Sequence, residues 1–318
     1  MITQDNITGI DVCSGVGASA YGIKALNDNI KIPLAIEINP VEQKTYMSNH
    51  SDLEKMYGDI YDFNPSYKDV DFINFMLATP PCQDFSTMNI KRNSCSLKAE
   101  IMYKTLELID FIRPTHFIIE NVRGFQTSKD KTGNLYLEIM IKKLKQNHYH
   151  IWHGLLNAFN YGVPQSRQRY FIIGSTKIIP HRPITTKQIG YKEILDKLQA
   201  QPDTKHSEKM IAKFQNLPFN IWTKLDPSKT YNTAYRLDDS KANFPAPTIL
   251  NTDKVWIIWK NRVLSIEEIK ALQTLPTSYI LTGTKKDKQR GLGNVLPSKF
   301  AFEVAKQFFA NHNTWSLN

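Results

Sequence analysis

The chain has 318 residues, 41% of them hydrophobic and 22% charged, which is an ordinary composition for a soluble globular protein with a sizeable core. Its 40 lysines and arginines exceed its 30 acidic residues, and the net charge of +10 favours a polyanionic partner. The three cysteines have no paired spacing, which argues against a disulfide framework and a zinc site. The sequence contains no apolar run of membrane-spanning length and no signal-peptide pattern. We therefore expect a cytoplasmic protein.

The first predicted unit is a strand followed by a glycine turn and a helix. The strand covers residues 8–12, the turn contains Gly15 and Gly17, and apolar residues at helical spacing follow. A second strand, residues 33–37, ends in Glu37, where a carboxylate can accept hydrogen bonds from ribose hydroxyls. This order predicts a nucleoside-bearing cofactor and leaves both a dinucleotide and S-adenosylmethionine open.

A cysteine follows the next predicted strand directly. The apolar run 72–77 has the length of a buried strand, and Pro80 and Pro81 end it because neither can donate a ladder hydrogen bond. Cys82 therefore lies at the carboxyl end of a strand, where ligands gather in an α/β sheet. The residue alone fits either a nucleophile or a small core hydrophobe. The polar loop 84–96 beyond it fits either phosphate binding or simple solvation.

An acidic residue occupies a similar position after a later strand. Residues 101–112 show apolar side chains at helical spacing, which indicates packing. The strand 115–119 ends in Glu120, and a carboxylate there is unfavourable unless it is hydrogen-bonded or functional. Arg167 and Arg169 lie two apart in an extended segment and can therefore share a site. The alternation of strands and helices predicts an α/β fold.

The character of the chain changes at about residue 176. Residues 176–260 hold 14 lysines and arginines against 8 acidic residues and show only short, interrupted elements. We interpret this stretch as a separate basic lobe. Helical periodicity resumes over residues 263–275, and a glycine-containing segment, residues 291–294, then precedes a terminal helix at about 296–312.

The order of these motifs closely resembles the DNA (cytosine-5) methyltransferase family in its short bacterial restriction-modification form. The matching segments are Asp11-Val12-Cys13-Ser14-Gly15-Val16-Gly17, Pro80-Pro81-Cys82-Gln83, Glu120-Asn121-Val122, Gln165-Ser166-Arg167-Gln168-Arg169, Arg262-Val263-Leu264-Ser265 with Glu268, and Gly293-Asn294. Any one of them can arise by chance, but all occur in order, with the cysteine and the glutamate 38 residues apart. The resemblance implies an S-adenosylmethionine-dependent methyltransferase fold with a Rossmann-like, mostly parallel sheet and a smaller target-recognition domain.

The resemblance also implies a covalent mechanism that requires no metal. Cys82 would add to carbon 6 of a flipped-out cytosine, so that carbon 5 can take the methyl group from S-adenosylmethionine. Glu120 would hydrogen-bond the exocyclic amine and N3 and supply a proton as charge builds on the ring. Arg167 would steady the base at O2, Arg169 would organise the cysteine loop and its carboxylate neighbour, and Asn121 would brace the cysteine turn.

The cofactor site follows from the same resemblance. The backbone around Gly15 and Gly17 would hold the methionine end, Glu37 would hold the ribose, and Asn294 would close the site. The other residues assigned to the cofactor are Asp11, Cys13, Asp59, Ile60, Pro81 and Ile101, with Asp59 and Ile60 at the adenine. Three positions depart from the family pattern, namely Cys13 in place of a phenylalanine, Ala18 in place of a glycine and Gly291 in place of a glutamine.

The implied partner is double-stranded DNA, bound by a monomer in a basic cleft, with any cognate restriction endonuclease acting separately. We expect a catalytic and cofactor-binding domain over residues 1–175, a target-recognition domain over 176–261, and a return over 262–318 that completes the catalytic domain. The residues expected to contact DNA are Gln83, Ser86, Lys91, Arg92, Arg167 and Thr248.

Other functions fit the sequence less well. A nicotinamide-dependent oxidoreductase would carry the full Gly-x-Gly-x-x-Gly spacing, but residue 20 is alanine. An amino-methyltransferase would carry an aromatic residue where this chain has Cys82, and a non-enzymatic relic would have lost Cys82 or Glu120. The alternative that remains open is a transfer RNA methyltransferase of the same family, although the Cys-Phe-Thr triplet of that branch is absent from the sequence.

Overall fold

The computed structural model describes residues 6–81, 97–130, 132–198, 207–218, 221–224, 233–237, 243–251, 254–257, 260, 262–309 and 313–316. Several residues for which the sequence predicts a role lie outside this part of the chain, namely Cys82, Gln83, Ser86, Lys91 and Arg92, and so does the third cysteine, Cys95. None of the described helices is long and apolar enough to cross a bilayer.

Seven of the described strands form one sheet. They are β1 (Ile7–Val12), β2 (Ile30–Ile36), β3 (Lys55–Tyr57), β4 (Phe75–Ala78), β5 (His116–Val122), β6 (His150–Asn157) and β7 (Gln168–Ser175). Their order across the sheet is β3-β2-β1-β4-β5-β7-β6. The strands from β1 to β5 pair in parallel, and β7 runs antiparallel to both of its neighbours. The mostly parallel α/β sheet predicted from the sequence is confirmed.

Helices cover both faces of this sheet. The described helices are α1 (Ala18–Lys24), α2 (Pro40–Asn49), α3 (Leu97–Ile112), α4 (Tyr136–Gln146), α5 (Tyr191–Leu195), α6 (Glu208–Gln215), α7 (Ile266–Leu272), α8 (Lys285–Asn294) and α9 (Ser298–Ala305). Successive strand residues point to opposite faces. Met76 of β4 therefore packs in the cluster with α3 and α4, whereas Leu77 packs in the cluster with α1 and α9.

The contact between α1 and α9 is especially close. A Cβ atom added to Gly22 would lie 1.9 Å from the carbonyl oxygen of Ser298, so only a glycine allows the two helices to approach this far. Elements near the two ends of the described chain therefore form one layer on the same face of the sheet.

A second, smaller sheet lies mostly within the predicted basic lobe. It contains β8 (Thr223–Lys224), β9 (Thr233–Leu237), β10 (Lys254–Ile257) and β11 (Arg262–Val263), in the order β11-β10-β9-β8. An apolar cluster packs buried residues of this sheet against α7 and α8. The predicted domain boundaries stay predictions.

Two predicted elements differ from the structure in their extent. The strand predicted from residue 72 begins at Phe75, because residues 70–73 form a turn in which the Ile73 N–H donates to the Val70 carbonyl, and Phe72 is 45% exposed. Within the terminal helix predicted at about 296–312, the α-helix α9 covers Ser298–Ala305; residues 291–294 precede it as predicted and form the end of α8. Glycines and many charged side chains weaken the helical pattern of α8 in the sequence, so this helix was not predicted. It begins at a Thr284–Asp287 capping box.

Candidate active site

A cavity of about 1460 Å³ lies at the carboxyl ends of β1, β2, β4 and β5. This volume exceeds the roughly 300–1,000 Å³ of ordinary small-molecule sites and therefore has room for two ligands side by side. The cavity brings together most of the sequence-predicted residues, namely Cys13, Gly15, Glu37, Asp59, Ile60, Pro81, Ile101, Glu120, Arg167, Arg169, Thr248 and Asn294. Asp11, Gly17 and Asn121 are not among its lining residues.

The glycine turn after β1 forms one wall of the cavity. Gly15 and Gly17 have φ angles of 55° and 85°, which side-chain-bearing residues rarely adopt. Behind the turn, a Cβ atom on Gly17 would lie 2.4 Å from His50 Nε2, so the turn packs directly on α2. His50 Nε2 lies 3.1 Å from the Gly17 carbonyl oxygen, and burial lowers the pKa of His50 to about 3, which keeps its ring neutral.

Tyr279 holds the same turn from the C-terminal part of the chain. Its buried hydroxyl donates to the Val16 carbonyl oxygen at 2.6 Å. Burial raises the pKa of Tyr279 well above its ordinary value, so the hydroxyl stays a donor across the physiological range. The glycine turn is therefore fixed by a residue 263 positions away.

Replacing Tyr279 by phenylalanine tests this support. We expect Tyr279→Phe to lower the free energy of unfolding by about 1–3 kcal/mol, because the Val16 carbonyl would lose its buried donor. Chemical denaturation followed by circular dichroism measures the change. Tyr67→Phe is the matched control, since Tyr67 is 62% exposed and should change stability by less than about 0.5 kcal/mol. Equal denaturation midpoints for Tyr279→Phe and the wild type would refute the role given to this hydroxyl.

Glu37 is held at the end of β2 by backbone donors. The Gly15 N–H donates to its Oε2 atom and the Asn39 N–H donates to its Oε1 atom, both at 2.8 Å. Burial raises the pKa of Glu37, while these backbone bonds and the charge of Arg290 oppose the shift. The Ile38 backbone also donates to this carboxylate, which has about four lone-pair sites in all, so Glu37 keeps the capacity to accept a hydrogen bond from a ligand in the cavity.

Cys13 is the cysteine that the structure describes, and it lines the cavity beside the glycine turn. Burial raises the pKa of its thiol, and the nearby carboxylates of Glu37, Asp11 and Asp59 raise it further. The thiolate is the nucleophilic form of cysteine. Cys13 is therefore protonated at neutral pH and poorly suited to nucleophilic attack.

Glu120 and Arg169 form an ion pair inside the cavity. Arg169 lies opposite Val122 on the neighbouring strand and is thus diagonal to Glu120, within reach of a long side chain. The Arg169 Nε atom lies 2.8 Å from Glu120 Oε1, and both side chains are nearly buried. Burial raises the pKa of Glu120, although Arg169 and Arg167 act in the opposite direction. The site therefore presents a carboxyl group whose pKa is raised by burial, held by a nearly buried arginine.

The turn that leads to Cys82 is tied to its surroundings on two sides. Asn121 Nδ2 donates to the Pro80 carbonyl oxygen at 3.4 Å, and Asn121 Oδ1 accepts from the Val122 N–H at 2.8 Å. The Thr79 hydroxyl donates to the Cys13 carbonyl oxygen at 2.9 Å. The end of β4 is therefore fixed relative to both β5 and the glycine turn.

Arg167 has different surroundings from Arg169. Its side chain is fully buried, and its Nη1 and Nη2 atoms donate to the carbonyl oxygens of Ile249 and Gly293 at 3.1 and 3.0 Å. Both arginines line the cavity, as the sequence predicted, but the ion pair with Glu120 belongs to Arg169. The contact of Arg167 with O2 of a base stays a prediction.

Thr248 belongs to a segment that joins the small lobe to β7. Its hydroxyl donates to the Ser166 carbonyl oxygen at 2.6 Å, and the Ser166 N–H donates to the Ala246 carbonyl oxygen at 2.8 Å. Gln165 contributes a further bond, since its Oε1 atom accepts from the Ile249 N–H at 2.9 Å. These bonds place the segment against the same cavity as Glu120.

Several residues that line the cavity were not predicted from the sequence, namely Ile38, Glu42, Trp222 and Arg290. Two of them carry signals that were available in the sequence. Asn39 followed by Pro40 marks the start of α2, the helix of Glu42. Arg290 lies four residues before Asn294, a spacing that places both on one helix face.

The family model described as C-5 cytosine-specific DNA methylase matches residues 7–310 of this chain. A curated relative, Type II methyltransferase M.DdeI of Desulfomicrobium norvegicum, is 32% identical over 170 residues, which are 52% of this chain and 40% of the relative. The match to this and four other curated relatives spans between 39% and 51% of their length.

Solved structures resemble the whole described fold. A candidate DNA modification methyltransferase encoded within an E. coli prophage superposes with a TM-score of 0.75 at 21% identity, covering 95% of this chain and 98% of the other. S. pombe Dnmt2 methyltransferase superposes with a TM-score of 0.70 at 18% identity, with the same coverage. At these identities the likeness shows the fold, and it agrees with the fold class predicted from the sequence.

Proposed function

Because this chain belongs to the C-5 cytosine-specific DNA methylase family, we propose that it transfers a methyl group from S-adenosylmethionine to carbon 5 of cytosine in double-stranded DNA. The observation that carries this proposal is the Glu120–Arg169 ion pair, which shares one cavity with the glycine turn and Glu37. A carboxyl group with a raised pKa, suited to a base, and a carboxylate suited to a ribose thus line the same cavity.

The residues of the glycine-turn side of the cavity fit S-adenosylmethionine. Gly15 leaves backbone exposed to the cavity, and Glu37 keeps the capacity to accept a hydrogen bond from a ribose hydroxyl. Ile60 and Ile101 would supply apolar contact, and Asn294 of α8 lines the same cavity. When bound there, the cofactor would supply an electrophilic methyl group.

The opposite side of the cavity fits a pyrimidine base. In the proposed reaction the Cys82 thiolate bonds to carbon 6, and Glu120 gives a proton to N3 as negative charge builds on the ring. Carbon 5 takes the methyl group, which would leave S-adenosylhomocysteine. A base then removes the carbon 5 proton, the bond between Cys82 and carbon 6 breaks to release the thiolate, and N3 returns its proton to Glu120. Arg169 holds Glu120 in place, and Asn121 fixes the turn before Cys82.

The target cytosine must leave the double helix to enter this cavity, so base flipping is part of the proposal. Lysines and arginines of residues 176–260 would contact phosphates and give affinity, whereas base-edge contacts would give sequence specificity. We propose a monomer that acts on DNA in a bacterial cytoplasm, with a cognate restriction endonuclease as a separate protein. Thr248 would lie at the DNA side of the cavity.

Methylation of defined substrates tests the function. Purified protein with isotope-labelled S-adenosylmethionine should label unmethylated plasmid DNA, and conversion sequencing should place 5-methylcytosine in one short sequence. Unmodified transfer RNA is the parallel substrate, since the fold of S. pombe Dnmt2 is similar and the family includes a transfer RNA branch. Label that appears only in transfer RNA, or on an exocyclic nitrogen of DNA, would contradict the proposal.

A further inference from the structure

An ion pair between α2 and α8 lies on the cofactor side of the cavity, and the proposed reaction leaves it without a role. Arg290 Nε is 3.3 Å from Glu42 Oε1, and both residues line the cavity. Arg290 Nη2 is also 3.3 Å from Asp287 Oδ1. The Glu42 side chain is 10% exposed and that of Arg290 is 34% exposed, so the pair is accessible from the cavity through its arginine.

The pair lies beside the glycine turn. A Cβ atom on Gly15 would be 3.5 Å from Glu42 Oε2, so this carboxylate is next to the exposed backbone of the turn. A Cβ atom on Gly291 would be 2.6 Å from Val16 Cγ1, so α8 packs tightly on the same turn. Asn294 follows Arg290 by four residues on α8 and lines the cavity with it.

The local charges are unbalanced toward the acidic side. Glu37 and Glu42 both line this part of the cavity, and the charge of Glu37 raises the pKa of Glu42 even though Arg290 opposes it. Burial is the larger cause, and together these effects bring the pKa of Glu42 to about 6. At neutral pH Glu42 is thus mostly ionised, and a ligand that brings a positive charge would relieve the repulsion between the two carboxylates.

The amino acid end of S-adenosylmethionine has the matching charges, because it carries an ammonium and a carboxylate on one carbon. We propose that Glu42 binds this ammonium and that Arg290 binds this carboxylate. A zwitterion placed between the members of an ion pair gives each of them a new partner of opposite charge, so neither is left uncompensated. The proposal rests on S-adenosylmethionine being the cofactor, and it assigns two side chains to an end of the ligand otherwise held by backbone.

Binding of cofactor analogues tests the assignment without measuring activity. S-adenosylhomocysteine carries the whole amino acid, its decarboxylated analogue lacks only the carboxylate, and 5′-methylthioadenosine lacks the amino acid. In titration calorimetry, Glu42→Gln should weaken S-adenosylhomocysteine about tenfold, or 1.4 kcal/mol, and change methylthioadenosine less than twofold. Arg290→Met should weaken S-adenosylhomocysteine to a similar extent and leave the decarboxylated analogue unchanged.

Two variants make the comparison specific. Lys286→Met removes an exposed positive charge from the same helix and should change none of the three affinities. Glu37→Ala should weaken all three ligands, because each contains the ribose. An equal loss for all ligands in Glu42→Gln, or no loss for S-adenosylhomocysteine, would overturn the assignment alone. A wild-type protein that fails to bind S-adenosylhomocysteine would refute the cofactor itself and the assignment with it.

Discussion

A duplex that carries 5-fluorocytosine in the recognition sequence is expected to become covalently attached to Cys82 in the presence of S-adenosylmethionine. Addition of the thiolate to carbon 6 and methyl transfer to carbon 5 both remain feasible, because fluorine is small. Release normally requires loss of the carbon 5 proton, and with fluorine it would require loss of a fluorine cation, which is chemically inaccessible. The attachment appears as a mass shift that survives denaturation, and peptide mapping identifies the cysteine.

The three cysteines of the chain provide the controls for this experiment. Cys82→Ala should form no adduct, whereas Cys95→Ala should form it as the wild type does. Cys13 is an unsuitable nucleophile because burial and neighbouring carboxylates raise the pKa of its thiol. An adduct mapped to Cys95 or Cys13, or no adduct from an enzyme that methylates normal DNA, would show that Cys82 is not the nucleophile.

The second large effect is expected on turnover, when the carboxyl group of Glu120 is replaced by an amide. We expect Glu120→Gln to lower kcat by about 10²–10⁴-fold, because glutamine keeps the shape of the side chain but cannot give a proton to N3. The affinity for S-adenosylhomocysteine should stay within twofold of the wild type, since Glu120 pairs with Arg169 on the side of the cavity that we propose holds the base. Single-turnover methylation measured beside calorimetric binding separates the two quantities.

Glu107→Gln is the matched control, because it removes a carboxylate that is 60% exposed on α3. Its turnover and stability should equal those of the wild type. Turnover within twofold of the wild type for Glu120→Gln would mean that another group protonates the ring. A parallel loss of cofactor binding would instead mean that Glu120 shapes the whole cavity.

Short-range patterns were sufficient to predict the sheet and the order of the site residues. The apolar strands that lead into Glu37 and Pro80-Pro81 meet β5 at one edge of the sheet, because the carboxyl ends of parallel strands lie together. Glu120, predicted to follow its strand directly, lies within the last three residues of β5. The same logic applied less well to Arg167 and Arg169. The two-residue spacing predicted one face, but β7 begins only at Gln168, so Arg167 precedes the regular strand and turns into the protein.

Contacts between distant parts of the chain could not be predicted in this way. Glu42 and Arg290 are 248 residues apart, and no local pattern connects them. Their proximity depends on how α8 packs on the glycine turn, and the glycine at position 291, which weakens the helical signal, is what permits that packing. Gly291, which departs from the family pattern, therefore has a structural role that comparison with that pattern would not predict.

The close contact between Gly22 and Ser298 has a consequence for how the protein is made. A ribosome adds roughly 5–20 residues per second, so growth of the chain from Gly22 to Ser298, a separation of 276 residues, takes roughly 14 to 55 s. During that interval the strands β1 to β7 can already emerge, while the apolar face that α9 later covers stays open to water. The nascent chain therefore passes through a period in which a chaperone has a defined hydrophobic surface to bind, and that period ends when α9 leaves the exit tunnel.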